Sequence, residues 1–225
     1  MRIVKAEVLR YLGYSGQTIG SELTELIQHC MDKCRALAKE LYIYKIFPVA
    51  RQTDGSLALV GSNIVLKGEN ASRYLTDADQ CAVLAATLGV AIDNEIRVQQ
   101  QMELSTSLIL DACATAAIES VCDDAQAEIA QLAQNQGRNL GFRFSPGYGD
   151  LSLTNQGDIL TAVNAQKAIG LTVSPSDILL PRKSVTALLG LFTGPPPPNP
   201  WDTCSTCNMQ ENCVYRKAGH FCGKD

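Results

Sequence analysis

The run Gly194-Pro-Pro-Pro-Pro-Asn-Pro200 limits what this chain can become more than any other feature, because it gathers five of the nine prolines of a 225-residue sequence. Each proline fixes φ and lacks an N–H, so neither a helix nor a central strand passes through the run. It reads as an extended, semi-rigid polyproline II spacer. The chain therefore divides into a body (1–194), a linker (195–200) and a terminal segment (201–225). That last segment is too short to bury a core, yet it holds four of the nine cysteines: Cys204, Cys207, Cys213 and Cys222.

The body has apolar material for one well-cored domain, since 46% of the sequence is hydrophobic. With 19 basic against 23 acidic residues and a net charge of −4, no basic face is available for nucleic acid. The composition is too apolar for a disordered chain. The most apolar run, Cys81 to Ile92, contains Thr87 and Gly89 and falls short of the roughly 18 residues of a membrane span. The first residues, Met-Arg-Ile-Val-Lys-Ala-Glu, carry charges and do not read as a secretory signal. The expectation is a cytoplasmic protein with neither a membrane nor a nucleic-acid partner. An odd number of cysteines without a signal also argues against a disulfide framework.

Apolar residues at three- and four-residue spacing predict a helix over about Ser21–Leu41, with Cys30 and Cys34 on its apolar face. Those two cysteines read as small buried hydrophobes, with a ligand pair as the alternative. Short apolar runs at 43–49, 57–60 and 64–67, separated by Asp54-Gly55 and Gly61-Ser62-Asn63, predict strands joined by tight turns. Thr76-x-x-Asp79 resembles a capping box opening an Ala-rich helix to about Leu88. A long helical stretch is predicted over 92–136, interrupted near 104–107, and a shorter one over 155–167 ending at Gly170. Strands are predicted at 178–180 and 185–192. Helices and strands come in blocks, which predicts an α+β fold.

Within the body, Arg143-Phe-Ser-Pro-Gly-Tyr-Gly-Asp150 is the segment best suited to a ligand. Pro146 extends Ser145, and Gly147 and Gly149 permit positive φ and close backbone approach. Arg143 suits a carboxylate, and Tyr148 suits stacking or hydrogen bonding to a planar group. The alternative is an ordinary surface turn whose arginine pairs with a nearby acid. Glu119 adjoins the small-residue run Ala112-Cys-Ala-Thr-Ala-Ala-Ile118 and reads either as a ligand group or as a solvated helix charge. Arg182-Lys183 reads as a solvated basic pair or as a contact for an acidic partner or phosphate. Only two histidines exist, His29 and His220, and neither accompanies a recognisable nucleophile motif.

Arg143-x-x-Pro146-Gly147-Tyr148 resembles the Arg-x-x-x-Gly-Tyr signature of the reactivation domain of cobalamin-dependent methionine synthase. Lys167-Ala-Ile-Gly170-Leu-Thr-Val-Ser174-Pro-Ser176 and Pro181-Arg-Lys-Ser184-Val185-Thr186 are similar to that family's I-G-x-x-x-T-E-S and P-x-x-S-V-S elements. Asp111 to Ser120 is similar to the helix bearing its ligand-binding glutamate. The resemblance implies a curved, mostly antiparallel sheet flanked by helices over residues 1–194. It also implies binding of S-adenosylmethionine, with Arg143 on the methionyl carboxylate and Tyr148 ordering the loop. Pro146 and backbone groups of Gly147 to Gly149 would shape the nucleoside site, and Glu119 would favour the ligand's cationic end. The function implied is reductive reactivation of a corrinoid-dependent methyltransferase, the cobalamin residing on a partner protein, since no D-x-H-x-x-G motif is present. Pro175 stands where the family has Glu, Ser174 where it has Thr, Leu189 where it has Tyr, and Tyr11-Leu-Gly13 where it has an acidic contact.

The spacing Cys204-x2-Cys207-x5-Cys213-x8-Cys222 predicts a metal-stabilised module, because a cross-linking metal is the usual substitute for a core. Four thiolates suit an iron–sulfur cluster or zinc. Reactivation needs one electron as well as one methyl group, so a cluster on the linker would act beside, or in place of, a separate electron-donor protein. The competing expectation is a non-catalytic scaffold whose metal-stabilised tail recruits a partner.

Overall fold

The sheet is built outward from two strands that are buried on both faces. In the computed structural model, which describes residues 1–14, 16–199 and 211, β4 (Gln80–Thr87) pairs antiparallel with β1 (Leu41–Arg51) on one side and with β8 (Ser184–Phe192) on the other. With β2 (Leu57–Leu59), β3 (Val65–Leu66) and β5 (Asn139–Leu140) they form a six-stranded antiparallel sheet of order β3-β2-β1-β4-β8-β5. A separate hairpin pairs β6 (Thr172–Val173) with β7 (Leu179–Leu180).

Helices cover both faces. On one face lie α3 (Glu69–Leu75), α6 (Gln156–Val163) and α7 (Ala165–Ile169), packed on Cys81, Val83, Ala85 and Leu188. The other face carries α5 (Leu104–Asn135), whose Ala125, Ile129 and Ala133 meet Ala82, Leu84, Ala187 and Leu189. Outside the N-terminal half of α5 pack α1 (Lys5–Tyr11), α2 (Ser21–Leu37) and α4 (Val90–Met102). The α+β architecture and the helix-flanked antiparallel sheet therefore stand as expected. Among the described residues α5 is the one helix long and apolar enough to cross a bilayer. Most of that stretch is buried inside the protein instead.

The Ala-rich stretch expected to be a helix over 76–88 is the central strand β4, flanked by the last turn of α3. Thr76 is the C-terminal cap of α3, and its hydroxyl donates to the Ser72 carbonyl. Because β4 is buried on both faces it shows no apolar/polar alternation, and its alanines fit the close approach of α5. The helix predicted over Ser21–Leu41 ends at Leu37, and Leu41 already belongs to β1. The break between α4 and α5 falls at Glu103, an extended residue, just before the interruption expected near 104–107. Asn164, at φ 58°, divides the predicted 155–167 helix into α6 and α7. The short elements α1, α3, β5 and β6 had no periodicity to reveal them.

Tyr74, on α3, ties this scaffold to the segment that follows β5. Its buried hydroxyl donates to the Phe142 carbonyl and accepts the Gly190 N–H at 3.0 Å. Its ring packs on Phe142, Phe144 and Phe192. Tyr74→Phe leaves a buried N–H and a carbonyl without this partner, and is expected to cost about 1–3 kcal/mol. Urea denaturation of the two proteins measures it.

Candidate functional site

Along one face of α5, polar side chains recur every four residues: Asp111, Thr115, Glu119 and Asp123. The start of β8 and the segment after β5 supply their basic partners. Lys183 Nζ lies 2.9 Å from Asp111 Oδ1 and donates to Thr115 Oγ1 at 2.8 Å. One turn further on, Arg143 reaches both acids at once. Its Nη2 donates to Glu119 Oε2 and its Nη1 to Asp123 Oδ1, each at 2.8 Å. The Arg143 side chain is only 18% exposed. Burial works against its charge, but Cys122, Glu119 and Asp123 more than offset this and hold its pKa above the ordinary arginine value.

This cluster lines a cleft of about 500 Å³ between α5 and the start of β8, a size typical of small-molecule sites. Asp123 and Gln126 continue the α5 wall beyond Glu119. Ser184, Val185 and Thr186 come from β8, and Gln156 from the start of α6. The buried Thr186 hydroxyl donates to Gln156 Oε1, which fixes that amide at the cleft. With two carboxylates against one guanidinium, the cluster carries an excess of negative charge and favours a cation. A guanidinium has five N–H donors, so Arg143 retains donors for a carboxylate beside the acids it already holds.

The loop Arg143–Asp150 forms the remaining wall. Pro146 and Tyr148 line the cleft, and Tyr148 is 55% exposed. Gly147 and Gly149 lie behind it, at φ 95° and 55°, where a side chain would be strained. The Gly147 N–H is spent on the Leu151 carbonyl at 2.7 Å and the Tyr148 N–H on the Ser145 carbonyl at 3.0 Å. Those two glycines therefore shape the loop, and its reach into the cleft comes through Pro146 and Tyr148. Asp150 pins the far end by accepting the Asn70 N–H at the start of α3, 3.0 Å away.

Of the residues singled out from the sequence, Arg143, Glu119, Pro146 and Tyr148 meet at one cleft. Arg143 and Glu119, expected to hold opposite ends of a ligand, are directly paired with each other. The element Ser184-Val185-Thr186 picked out by the resemblance also lines the cleft. Asp123, Gln126 and Gln156 escaped the sequence reading, although Asp123 stands one turn after Glu119 and was detectable from that spacing. Arg182 and Lys183 donate their backbone N–H groups to Asp93, and the Lys183 amine is held by Asp111, beside a second cleft of about 600 Å³. Cys204, Cys207, Cys213 and Cys222 lie outside the described residues. Among the described residues no group of three or more His, Cys, Asp or Glu side chains could hold a metal. Cys30 and Cys34 are fully buried, with burial pushing both thiol pKa values up, that of Cys34 to about 11.

In the solved structures, the chain matches a crystal structure of the MetH reactivation domain bound to AdoHcy. The TM-score is 0.64 at 16% identity, over 85% of this chain and 74% of that one. The two share a fold. No family model matches the chain, and no curated protein matches it by sequence.

A Cβ at Gly68 would stand 2.5 Å from Asp150 Oδ1. Gly68→Ala is therefore expected to push the Asp150 carboxylate off the Asn70 N–H and release the loop, with little loss of global stability. Hydrogen exchange should quicken at residues 145–150 and remain slow in β4 and β8.

Proposed function

We propose that this chain reactivates a cobalamin-dependent methyltransferase by holding S-adenosylmethionine in the Arg143 cleft and presenting its methyl group to cobalt on a partner protein. The observation that carries this reading is the acid-rich ion cluster in a small-molecule-sized cleft, on a fold shared with an AdoHcy-bound reactivation domain. Glu119 and Asp123 supply negative charge for the sulfonium or ammonium. Arg143 supplies donors for the carboxylate, and Tyr148 a planar surface for the base. In the reaction, one electron from a donor converts Co(II) to Co(I), which takes the methyl from the sulfonium and leaves methylcobalamin and S-adenosylhomocysteine. The chain's part is proximity and orientation, so no general acid or base is assigned. The partner is a corrinoid-binding methyltransferase of the methionine synthase type.

The departures at Ser174, Pro175 and Leu189 do not empty the cleft of its charged groups. Leu189 is fully buried on the α5 face of β8, within the core rather than on the cleft. Cys204, Cys207, Cys213 and Cys222 are the proposed ligands of a metal centre. As an iron–sulfur cluster it would supply one-electron chemistry, and as zinc it would be structural.

Calorimetric titration with S-adenosylmethionine tests the cleft, and a mixture with Co(II) corrinoid protein and reductant tests the reaction through the visible spectrum of methylcobalamin. Binding without methylcobalamin removes the reaction; absence of binding leaves the scaffold reading in its place. Arg143→Ala is expected to cost about 2–5 kcal/mol of ligand binding, because it breaks a buried charge cluster. Asp123→Asn is expected to weaken S-adenosylmethionine more than the uncharged thioether S-adenosylhomocysteine, since only the former carries the sulfonium. Equal losses for both ligands would take the acids out of sulfonium recognition.

Thiol alkylation followed by mass spectrometry tests the metal centre. With metal bound, the four terminal cysteines should resist modification; after chelation they should react in the folded protein. The core thiols should stay unmodified until denaturation, because burial pushes Cys81 and Cys113 up to about 12. Zinc by metal analysis, without broad visible absorption in an anaerobic sample, would remove the iron–sulfur assignment.

A further inference from the structure

Gln156 is a buried polar side chain whose hydrogen-bonding capacity the protein uses only in part. It opens α6 and is just 6% exposed, although it lines the cleft. Its carbonyl oxygen accepts the Thr186 hydroxyl. Its amide nitrogen has no partner among the described residues. A buried N–H left unpaired is costly, and the open space this side chain meets is the cleft.

Thr186 sets which end of the amide is offered. It is 2% exposed and lies in β8, in register with Ala85 of the central strand β4. Among the described residues Gln156 Oε1 is the one acceptor its hydroxyl finds. Were the amide turned over, the hydroxyl would face a donor and its own buried proton would be unpaired. Nε2 is therefore the end presented to a ligand. Oε1 keeps a second lone pair, so the side chain offers a donor and an acceptor side by side. The charges of the cleft stand elsewhere, with Glu119 and Asp123 on α5 and Arg143 after β5. The wall made by Gln156, Val185 and Thr186 is uncharged. Ser184, at its edge, is engaged with the Pro181 carbonyl and the Thr87 hydroxyl, each at 2.7 Å.

We infer that Gln156, oriented by Thr186, reads the edge of the bound base and selects adenine. This rests on the S-adenosylmethionine reading above. Adenine carries its N6 hydrogens beside a ring-nitrogen acceptor, N1 on one edge and N7 on the other. A carboxamide matches either pair: Nε2 donates to the ring nitrogen while Oε1 accepts from N6. Hypoxanthine has an oxygen in place of the amino group, which sets an acceptor against Oε1. Stacking on Tyr148 does not distinguish the two bases, since each has a π-face. Gln156 is thus a specificity residue and Thr186 its positioning residue.

Calorimetric titration of the full-length protein with S-adenosylhomocysteine and with its deaminated analogue S-inosylhomocysteine tests this. The unmutated protein should bind the adenine compound about tenfold more tightly, or better. Gln156→Leu, confirmed as folded by circular dichroism, should weaken the adenine compound and leave the hypoxanthine compound nearly unchanged. Thr186→Val frees the amide to turn and should narrow the ratio in the same direction. Equal affinity of the unmutated protein for both compounds overturns the inference. So does a Gln156→Leu protein in which both compounds weaken alike, which is what a merely structural role gives. A ratio lost in Gln156→Leu but intact in Thr186→Val overturns the positioning role of Thr186. If S-adenosylhomocysteine itself gives no heat, the ligand reading fails and the selection with it; binding that ignores the base sinks the selection alone.

Discussion

A β-strand pair buried on both faces leaves a protein few places for polar chemistry, and that constraint organises this fold. β4 and β8 spend both faces on apolar contacts, against α5 on one side and α3, α6 and α7 on the other. Unpaired charges cannot sit there without a large desolvation cost. Polar groups are therefore confined to the ends of strands and to the rim of the helix layer. The cleft lies in that position, where β8 begins and where α5 turns a polar stripe outwards.

The arginine at the centre of the cleft follows from the same economy. A guanidinium four-fifths withdrawn from water needs anions with hydrogen-bond geometry, and two acids one helical turn apart provide them. Two acids overcompensate one base, which gives the pocket its sign. A zwitterion with an additional positive charge is a better match for such a site than a simple anion. That distinction separates a sulfonium ligand from the many carboxylates that a lone arginine would accept.

Much of the architecture was legible in the residues, and the failures share a cause. Amphipathic helices such as α2, and strands bounded by turn residues such as β1, announced themselves through periodicity. The central strand β4 did not: when both faces are apolar and several residues are alanine, the alternation that marks a strand disappears. Asn164 split a predicted helix because a left-handed residue in a helical pattern leaves no hydrophobic signature. At the site, Arg143, Tyr148 and Glu119 were visible from loop chemistry and resemblance. Their mutual pairing was not, since it depends on a tertiary contact between residues twenty-four positions apart. Gln156 was hidden for the same reason, being ordinary on its own element, and so was its hydrogen bond with Thr186.

The proline run also bears on solubility. β5, two residues long, forms one margin of the six-stranded sheet, and sheet margins with open backbone groups are templates for pairing with other chains. A flanking segment without N–H donors cannot extend the ladder, however closely it lies. The residue held at Asn139 is Gly194, just past the end of β8, and the four prolines that follow it lack the N–H groups a ladder needs, so the chain leaving β8 cannot itself lengthen the sheet.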